Sequence, residues 1–385
     1  MRHRVGRFPG ANGVTQWESQ DGQIPDLISP YGWEVARRSG VIDFSYLRRL
    51  DPGGRPDDFR RRVQGCWAVI ESPELCVGDD LLLRCASSVG TPVVPREKVA
   101  GLVGDVEGWR RESFNQWSTT FDQYRLEPYW VDVGRPSVSI ALATRRPECV
   151  DTWAPIIAAQ SFRPLQVVAA LHGSQWTGAD EERIRSLLGL AGIDVVIVRV
   201  DETKVLGEVL QAATARAEGD VLVKWDDDDL YSTTHILDLL RARHYSGATI
   251  VGKGGDFVFV AGSNITVRRM QTPQEIFSPT MAGGTLAIGR DDLQEVGGWS
   301  EQPRGVDAAV IDRIRRAGGT TYRTVGFGYL MIRRSDPTAH TWNPGDDVFL
   351  AAGNPRRPGL DADWAMIDAP REIIERVVRS ARGEH

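Results

Sequence analysis

Four consecutive aspartates, Asp226 to Asp229, directly follow the apolar run Val221–Trp225. Carboxylates this close together repel one another unless positive charge lies between them. A divalent cation is the usual source of that charge, and ligands that are all oxygen select a hard ion such as Mg²⁺, Mn²⁺ or Ca²⁺. An acidic run in isolation is more often a solvated loop. Its place after a strand favours a ligand site, because open α/β sheets bind ligands at the carboxyl ends of their strands.

The register within the acidic run decides which carboxylates act together. Alternate residues of a strand share a face, so Asp226 and Asp228 are expected to pair. That alternation can already be lost at the end of a strand, and Asp227 or Asp229 could then take the place of either.

Strands and helices that alternate from residue 137 onwards must position this run. Apolar stretches at 138–142, 166–171 and 195–200 predict strands, and apolar residues at helical spacing lie between them. This pattern predicts βαβ units, a mainly parallel sheet and right-handed crossovers. Farther along, the sequence predicts a hairpin across Gly262 and a helix that begins near Asp307. We therefore expect an α/β fold with a Rossmann-like, mainly parallel sheet flanked by helices.

The composition is that of an ordinary soluble globular protein with about two domains: 385 residues, 41% hydrophobic and 25% charged. A net charge of −6 argues against general binding to nucleic acid. No apolar stretch approaches the roughly 18 residues of a membrane helix. The basic N-terminus lacks the apolar region of a secretory signal, so we expect a cytoplasmic protein. Four cysteines fit no zinc-binding spacing and are expected to be reduced thiols.

The chain is expected to divide into three parts. Residues 1–135 form a smaller, mixed α/β accessory region without a catalytic constellation, and a junction is expected near 129–136. Residues 136–350 form the main domain. Residues 351–385 form a tail that ends in an amphipathic helix.

A series of short motifs occurs in order between residues 137 and 343, which is a little over half of the chain. The motifs are Thr144-Arg145-Arg146-Pro147, the segment 206–220, the acidic run, Ala282-Gly283-Gly284, Val296-Gly297-Gly298-Trp299, the segment 306–313, Arg333-Arg334 and His340-Thr341-Trp342. In this order, on this βα pattern, they resemble a GT-A glycosyltransferase of the family 2 type. One departure is the end of the second strand, where Leu171-His172 stands in place of the family's acidic residues.

The resemblance implies metal-dependent, inverting transfer of a sugar from a nucleoside-diphosphate sugar to an acceptor hydroxyl. It implies that Asp226 contacts the ribose, that Asp227 also belongs to the nucleotide-sugar site, and that Asp228 holds Mn²⁺ or Mg²⁺. His340 is the further metal ligand that it implies, and an imidazole suits Mn²⁺ better than Ca²⁺. The ion would neutralise the charge that develops on the leaving diphosphate.

The other residues that the resemblance assigns to the nucleotide sugar follow the first strand, form a glycine pair or close the domain. They are Thr144, Arg145, Arg146, Gly283, Gly284, Arg333 and Arg334. The arginines suit bidentate bonds to the diphosphate, although a double arginine is often only a solvated edge. The glycines would allow the backbone to approach the sugar or the acceptor closely, or they simply form a turn.

Asp307 is the candidate base for the acceptor hydroxyl. A carboxylate at a helix N-terminus is stabilised in its ionised form, although aspartate there is also a common cap. Asp312 is the alternative base. It lies five residues farther along, so the two point to different faces of the helix and cannot share the role.

Two other functions remain open at this point. A nucleotidyltransferase acting on a sugar phosphate usually has a glycine-rich loop after its first strand, and residues 143–147 contain no glycine. A non-catalytic nucleotide- or glycan-binding scaffold is possible because fold alone does not imply activity. The expected partners are a nucleotide sugar, with UDP favoured over GDP or dTDP, and a small-molecule, peptide or glycan acceptor. Self-association into a homo-oligomer is also open.

Overall fold

The computed structural model describes residues 106–269, 274–336 and 345–384, together with short pieces between Ile42 and Gly101. The chain divides into two compact units, Met1–Gly134 and Arg135–His385. In the described ranges, none of the helices has the length and apolar character needed to cross a membrane. Cys149 is buried with a free thiol, and the other three cysteines lie outside the described residues.

Strands are numbered along the chain. They are β1 (Ile42–Asp43), β2 (Val69–Ile70), β3 (Val93–Val94), β4 (Val138–Thr144), β5 (Leu165–His172), β6 (Asp194–Val200), β7 (Val221–Trp225), β8 (Leu230–Tyr231), β9 (Ile250–Lys253), β10 (Phe257–Val260), β11 (Ile265–Arg268), β12 (Ile276–Phe277), β13 (Ala287–Gly289), β14 (Thr321–Thr324), β15 (Tyr329–Arg333) and β16 (Arg356–Pro358).

Helices are numbered in the same way. They are α1 (Val106–Phe121), α2 (Glu127–Val133), α3 (Val150–Ala158), α4 (Gly178–Gly189), α5 (Leu206–Thr214), α6 (His235–Ser246), α7 (Arg290–Glu295), α8 (Val306–Arg316), α9 (Asp346–Phe349) and α10 (Arg371–Arg382).

The first unit contains a parallel sheet, β1-β2-β3, and the helix α1. The amide of Gln116 on α1 fastens the helix to β3, since it accepts from Val93 N and donates to Val93 O at 2.7 Å each. Helix α1 continues through a π-helical segment, Asp122–Leu126, into α2.

The division between the two units falls after Gly134, inside the stretch 129–136 where a junction is expected. Within that stretch, α2 continues as a helix as far as Val133. Trp130 supplies the physical reason, since its buried ring anchors this turn of helix. Gly134, with a φ of +92°, then ends the helix, a conformation that favours glycine.

The second unit is an α/β fold built on an eight-stranded sheet of order β12-β14-β9-β13-β7-β4-β5-β6. Strands β7, β4, β5 and β6 are all parallel to their neighbours in this group. A second sheet has the order β16-β11-β10-β15-β8, and its β10–β11 pair is the predicted hairpin. The predicted fold class, a mainly parallel sheet flanked by helices, is confirmed.

Helices α5, α7 and α8 pack on one face of the large sheet through a shared apolar core. Alternate residues of β5, Val168 and Ala170, point into this core, as the period of a strand requires. Helix α8 contributes Val306, Val310 and Ile314, which recur at helical spacing. The complete burial of Val306 fixes the first turn of α8 and therefore the position of the next residue, Asp307.

The register of the strands brings four sequence motifs to one edge. Leu142 of β4 pairs with Trp225 of β7, so the ends of these two parallel strands meet. Strand β13 runs antiparallel to β7, and its amino end therefore lies at the same edge. That end is preceded by a 3-10 turn, Gly283–Thr285, which contains the glycine pair. The edge thus gathers residues 144–146, the acidic run, the glycine pair and α8.

Candidate active site

The acidic run leaves β7 with its side chains alternating between the interior and the solvent. The side chains of Asp226 and Asp228 are 38% and 13% exposed. Asp227 and Asp229 are buried. Asp226 and Asp228 are therefore the two that a ligand can reach, on one face of the run.

Asp227 is held by the segment that follows β4. The Thr144 hydroxyl donates to Asp227 Oδ2, and Arg146 donates to both carboxylate oxygens, through Nε at 3.1 Å and through a second short bond. Charge-assisted bidentate bonds of this kind are among the strongest in proteins. Burial alone would lower the pKa of Arg146, but Asp227 and Asp228 outweigh it and raise the pKa. Thr144 and Arg146, expected at the nucleotide, thus bind the acidic run itself.

Asp229 points inward and ties the acidic run to the second sheet. The Tyr329 hydroxyl donates to Asp229 Oδ2 at 2.6 Å, and the backbone N–H of Ile332 donates to Oδ1 at 2.8 Å. Burial, followed by the charges of Asp228 and Asp226, raises the pKa of Asp229 well above its usual value. Its contacts give Asp229 a structural role beneath the site.

Asp228 is contacted by two arginines on a single oxygen. Arg146 Nη1 lies 2.9 Å and Arg334 Nε 3.6 Å from Asp228 Oδ2. Arg334 also donates to the Ser380 hydroxyl of α10 at 3.3 Å, so the C-terminal helix helps to orient it.

The donor set bears on whether a hard divalent ion fits this edge. In the described ranges, no three His, Cys, Asp or Glu side chains converge as a complete metal site. Mg²⁺ is often held by only one or two carboxylates, with phosphate oxygens and water completing its shell. Asp228, whose side chain is partly exposed, fits that mode. His340, the other expected ligand, lies outside the described residues.

A buried lysine joins two carboxylates at the centre of the site. Lys224 Nζ lies 2.6 Å from Asp226 Oδ1 and 3.5 Å from Asp307 Oδ1. Burial would lower the pKa of Lys224, but the charges of Asp226 and Asp307 outweigh it and raise the pKa. The sequence reasoning assigned Lys224 no role. A lysine in an otherwise apolar strand, two residues before the acidic run, was the available signal.

Asp307 lies in the first turn of α8, where the helix dipole favours an ionised carboxylate. Burial raises the pKa of Asp307, and Asp226 raises it further, while Lys224 lowers it. Asp312, the alternative base, instead forms a surface ion pair with Arg316 at 2.8 Å. Asp307 is therefore the carboxylate of α8 that meets the acidic run.

The glycine pair makes room for these carboxylates. A Cβ atom on Gly283 would lie 2.1 Å from Asp307 Oδ2, and one on Gly284 would lie 2.6 Å from Asp226 Oδ2. The Tyr231 hydroxyl donates to Gly284 O at 3.1 Å and accepts from Asp226 N–H at 3.0 Å. Tyr231, which the sequence reasoning also missed, thereby fixes the turn against the acidic run.

Two of the expected arginines make their closest described contacts outside the acidic run. Arg145 Nε donates to His172 Nδ1 at 2.9 Å, at the end of β5. Burial, and then the charge of Arg145, lowers the pKa of His172. Arg333 is buried with its guanidinium 5.3 Å from the centre of the Phe349 ring. Burial lowers the pKa of Arg333, while the charges of Asp346, Asp228 and Asp229 raise it, so both arginines of the pair 333–334 interact with the acidic run.

No family model and no curated protein matches this chain. Among solved structures, it is similar to the mannosyltransferase PcManGT from Pyrobaculum calidifontis in complex with GDP-Man and Mn²⁺, at 17% identity and a TM-score of 0.42, over 52% of this chain and 57% of that one. It is also similar to S. aureus TarS, at 15% identity and a TM-score of 0.39, over 51% of this chain and 36% of that one. For S. aureus TarS 1-349 in complex with UDP, the identity is 14% and the TM-score is 0.39, over 51% of this chain and 61% of that one.

The chain thus spans less than two thirds of each of these proteins. Identities and TM-scores this low support no conclusion about function. The function proposed below is inferred from the residues of the site.

Proposed function

We propose that the second unit is a glycosyltransferase that moves a sugar from a nucleoside-diphosphate sugar to an acceptor hydroxyl, with inversion. One observation carries the proposal: an accessible carboxylate, Asp226, and a second carboxylate with a raised pKa, Asp307, lie on either side of Lys224 at the carboxyl edge of the sheet. Group transfer needs one group to hold the donor and another to take a proton from the acceptor, and this pair offers both.

Asp307 would act as the general base in this reaction. A base is most effective when its pKa lies close to the working pH, and burial moves the pKa of Asp307 in that direction. As the acceptor oxygen attacks the anomeric carbon, its proton passes to Asp307 while the bond to the diphosphate breaks on the opposite face. A single displacement of this kind inverts the anomeric configuration.

The donor would lie along the acidic run. Asp226 would accept hydrogen bonds from the ribose, and Arg334 and Arg146, which contact Asp228, would supply positive charge for the diphosphate. Asp228 would hold Mn²⁺ or Mg²⁺ together with phosphate oxygens, and the bound ion would neutralise charge on the leaving group. Residues 1–135 are proposed to be an accessory region.

A thermal-shift panel tests donor binding. UDP, GDP and dTDP are each added with and without Mn²⁺ to the wild type, to Asp228→Asn and to the surface control Asp312→Asn. A nucleotide at about 100 times its Kd stabilises a protein by about 2.7 kcal/mol, which raises the Tm of a unit of this size by roughly 5–10 °C. We expect a Mn²⁺-dependent shift, largest with UDP, in the wild type and in the control only.

Other outcomes separate the alternatives. The absence of a shift with every nucleotide would contradict the proposal. Metal-dependent binding without release of a nucleoside diphosphate from any nucleotide sugar would indicate a scaffold. Consumption of a nucleoside triphosphate with release of pyrophosphate would indicate a nucleotidyltransferase.

A further inference from the structure

Lys224 has no part in donor binding or proton transfer as proposed above, yet it lies between the two carboxylates that carry them. Its side chain is only 4% exposed, and its ammonium faces Asp226 and Asp307. A buried ammonium is costly unless it is paired, so the position requires a partner of opposite charge. Here one ammonium meets two carboxylates that approach it from different elements.

The two carboxylates in turn depend on the lysine. Two carboxylates that share a site repel each other, and the pKa of one of them is then strongly raised. Burial adds to this tendency for Asp307, whose Oδ1 is fully enclosed and, in the described part of the chain, makes no hydrogen bond of good geometry. Lys224 is the positive charge that opposes both effects.

Lys224 and Asp226 are the charged groups that face Asp307 from the elements packed against it. From the turn at Gly283–Thr285, the uncharged Gly283 lies against its carboxylate. On α8 itself the basic residues lie in the last turn, at the far end of the helix from Asp307.

We propose that Lys224 is a positioning residue that keeps Asp307 in its ionised, proton-accepting form beside Asp226. The role of Lys224 in catalysis rests on the proposed function. The electrostatic coupling between Lys224 and Asp307 does not, and it can be measured without any transfer reaction.

The direct test is a pH titration of the Asp307 carboxyl by difference infrared spectroscopy, with Asp307→Asn used to assign the signal. In Lys224→Met we expect the titration to move upward by roughly one to three pH units, the range that an adjacent opposite charge produces. Lys224→Arg should restore most of the wild-type value because it keeps the charge. Lys204→Met, which removes a surface lysine paired with Glu208, is the matched control and should leave the titration unchanged.

Asp226→Asn provides a second, opposite test that does not depend on the folding of Lys224→Met. It removes the negative charge next to Asp307, and Lys224 then pairs with Asp307 alone. The titration of Asp307 should therefore move to lower pH. An unchanged titration in either variant, once folded, would overturn the inference.

Kinetics separate this inference from the proposed function. If nucleotide sugars are turned over, kcat of Lys224→Met should fall at least tenfold at neutral pH and recover as pH rises, with a smaller change in the donor KM. If the titrations shift as expected but the wild type transfers no sugar, the coupling stands and the proposed function fails. A kcat of Lys224→Met that is low at every pH would also overturn the positioning role.

Discussion

A methyl group added at Gly283 tests whether Asp307 must lie where the structure has it. Gly283 is in a 3-10 turn with an ordinary negative φ, so alanine fits the backbone. The new Cβ would nevertheless lie 2.1 Å from Asp307 Oδ2 and 2.6 Å from Cγ. The substitution therefore acts on the position of the carboxylate and leaves its chemistry intact.

The distances set the size of the effect. Ordinary contact begins at about 3.4 Å, so the carboxylate must move by about 1.3 Å from its 2.1 Å approach. A displacement of about 1 Å in a reacting group can reduce a rate by about 100-fold. Crowding a packed site costs about 1–3 kcal/mol of stability, partly offset by about 0.4–1 kcal/mol from the less flexible unfolded chain.

The assay compares Gly283→Ala with two other alanine variants. Gly284→Ala places its Cβ 2.6 Å from Asp226 Oδ2, which calls for a displacement of about 0.8 Å, and should raise the donor KM more than it lowers kcat. Gly189→Ala, at the end of α4 with no atom within 4 Å of the new Cβ, is the control and should be neutral. For Gly283→Ala we expect kcat about 100-fold lower and the donor KM nearly unchanged.

A folded Gly283→Ala protein with the kcat of the wild type would refute this reasoning, because Asp307 would then tolerate displacement from the turn. An equal loss in Gly189→Ala would refute it as well, since the effect would not depend on the site.

Asp227→Asn should lower the free energy of unfolding by roughly 2–3 kcal/mol, because it weakens the hydrogen bonds from Arg146 to a buried carboxylate. The control Asp312→Asn should change the free energy of unfolding by less than about 0.5 kcal/mol. Urea unfolding of both variants measures these changes, and equal values would contradict the role given to Asp227. The acidic limb of the pH profile of kcat/KM should have its midpoint at a higher pH than the usual pKa of an aspartate. The reason is that the pKa of Asp307 is raised and activity is lost as pH falls through that pKa. A midpoint at or below the usual pKa of an aspartate would count against Asp307 as the base. Asp228→Ala should lower the rate of sugar transfer by about 100-fold or more and remove the dependence of the remaining rate on Mn²⁺. Circular dichroism should show that the variant is still folded. A fully active, metal-independent Asp228→Ala protein would contradict the proposed role of Asp228 in donor binding.

Much of the fold is predictable because its signals are local. The periodicity of Val306, Val310 and Ile314 predicts a helix, and the run at 221–225 predicts a buried strand. The order of these elements then predicts the mainly parallel sheet. The continuation of α2 to Val133 escapes this reasoning because it depends on the burial of Trp130, which is a tertiary contact.

The candidate site is less predictable because its pairings join distant parts of the chain. The acidic run and Asp307 stand out in the sequence, but nothing local shows that Lys224 bridges Asp226 and Asp307. Sequence reasoning took an ion as the source of positive charge for the run. In the structure, the side chains of Lys224, Arg146 and Arg334 supply much of it, and this could be known only from the packing.

The most direct test of the central claim is the release of nucleoside diphosphate from a panel of nucleotide sugars, followed by NMR with water or an added alcohol as the acceptor. We expect the wild type to release the diphosphate from at least one donor, with inversion at the anomeric carbon. We expect Asp307→Asn to bind the same donor but to release the diphosphate at least 100-fold more slowly. Equal release by Asp307→Asn, or no release from any donor by the wild type, would contradict it.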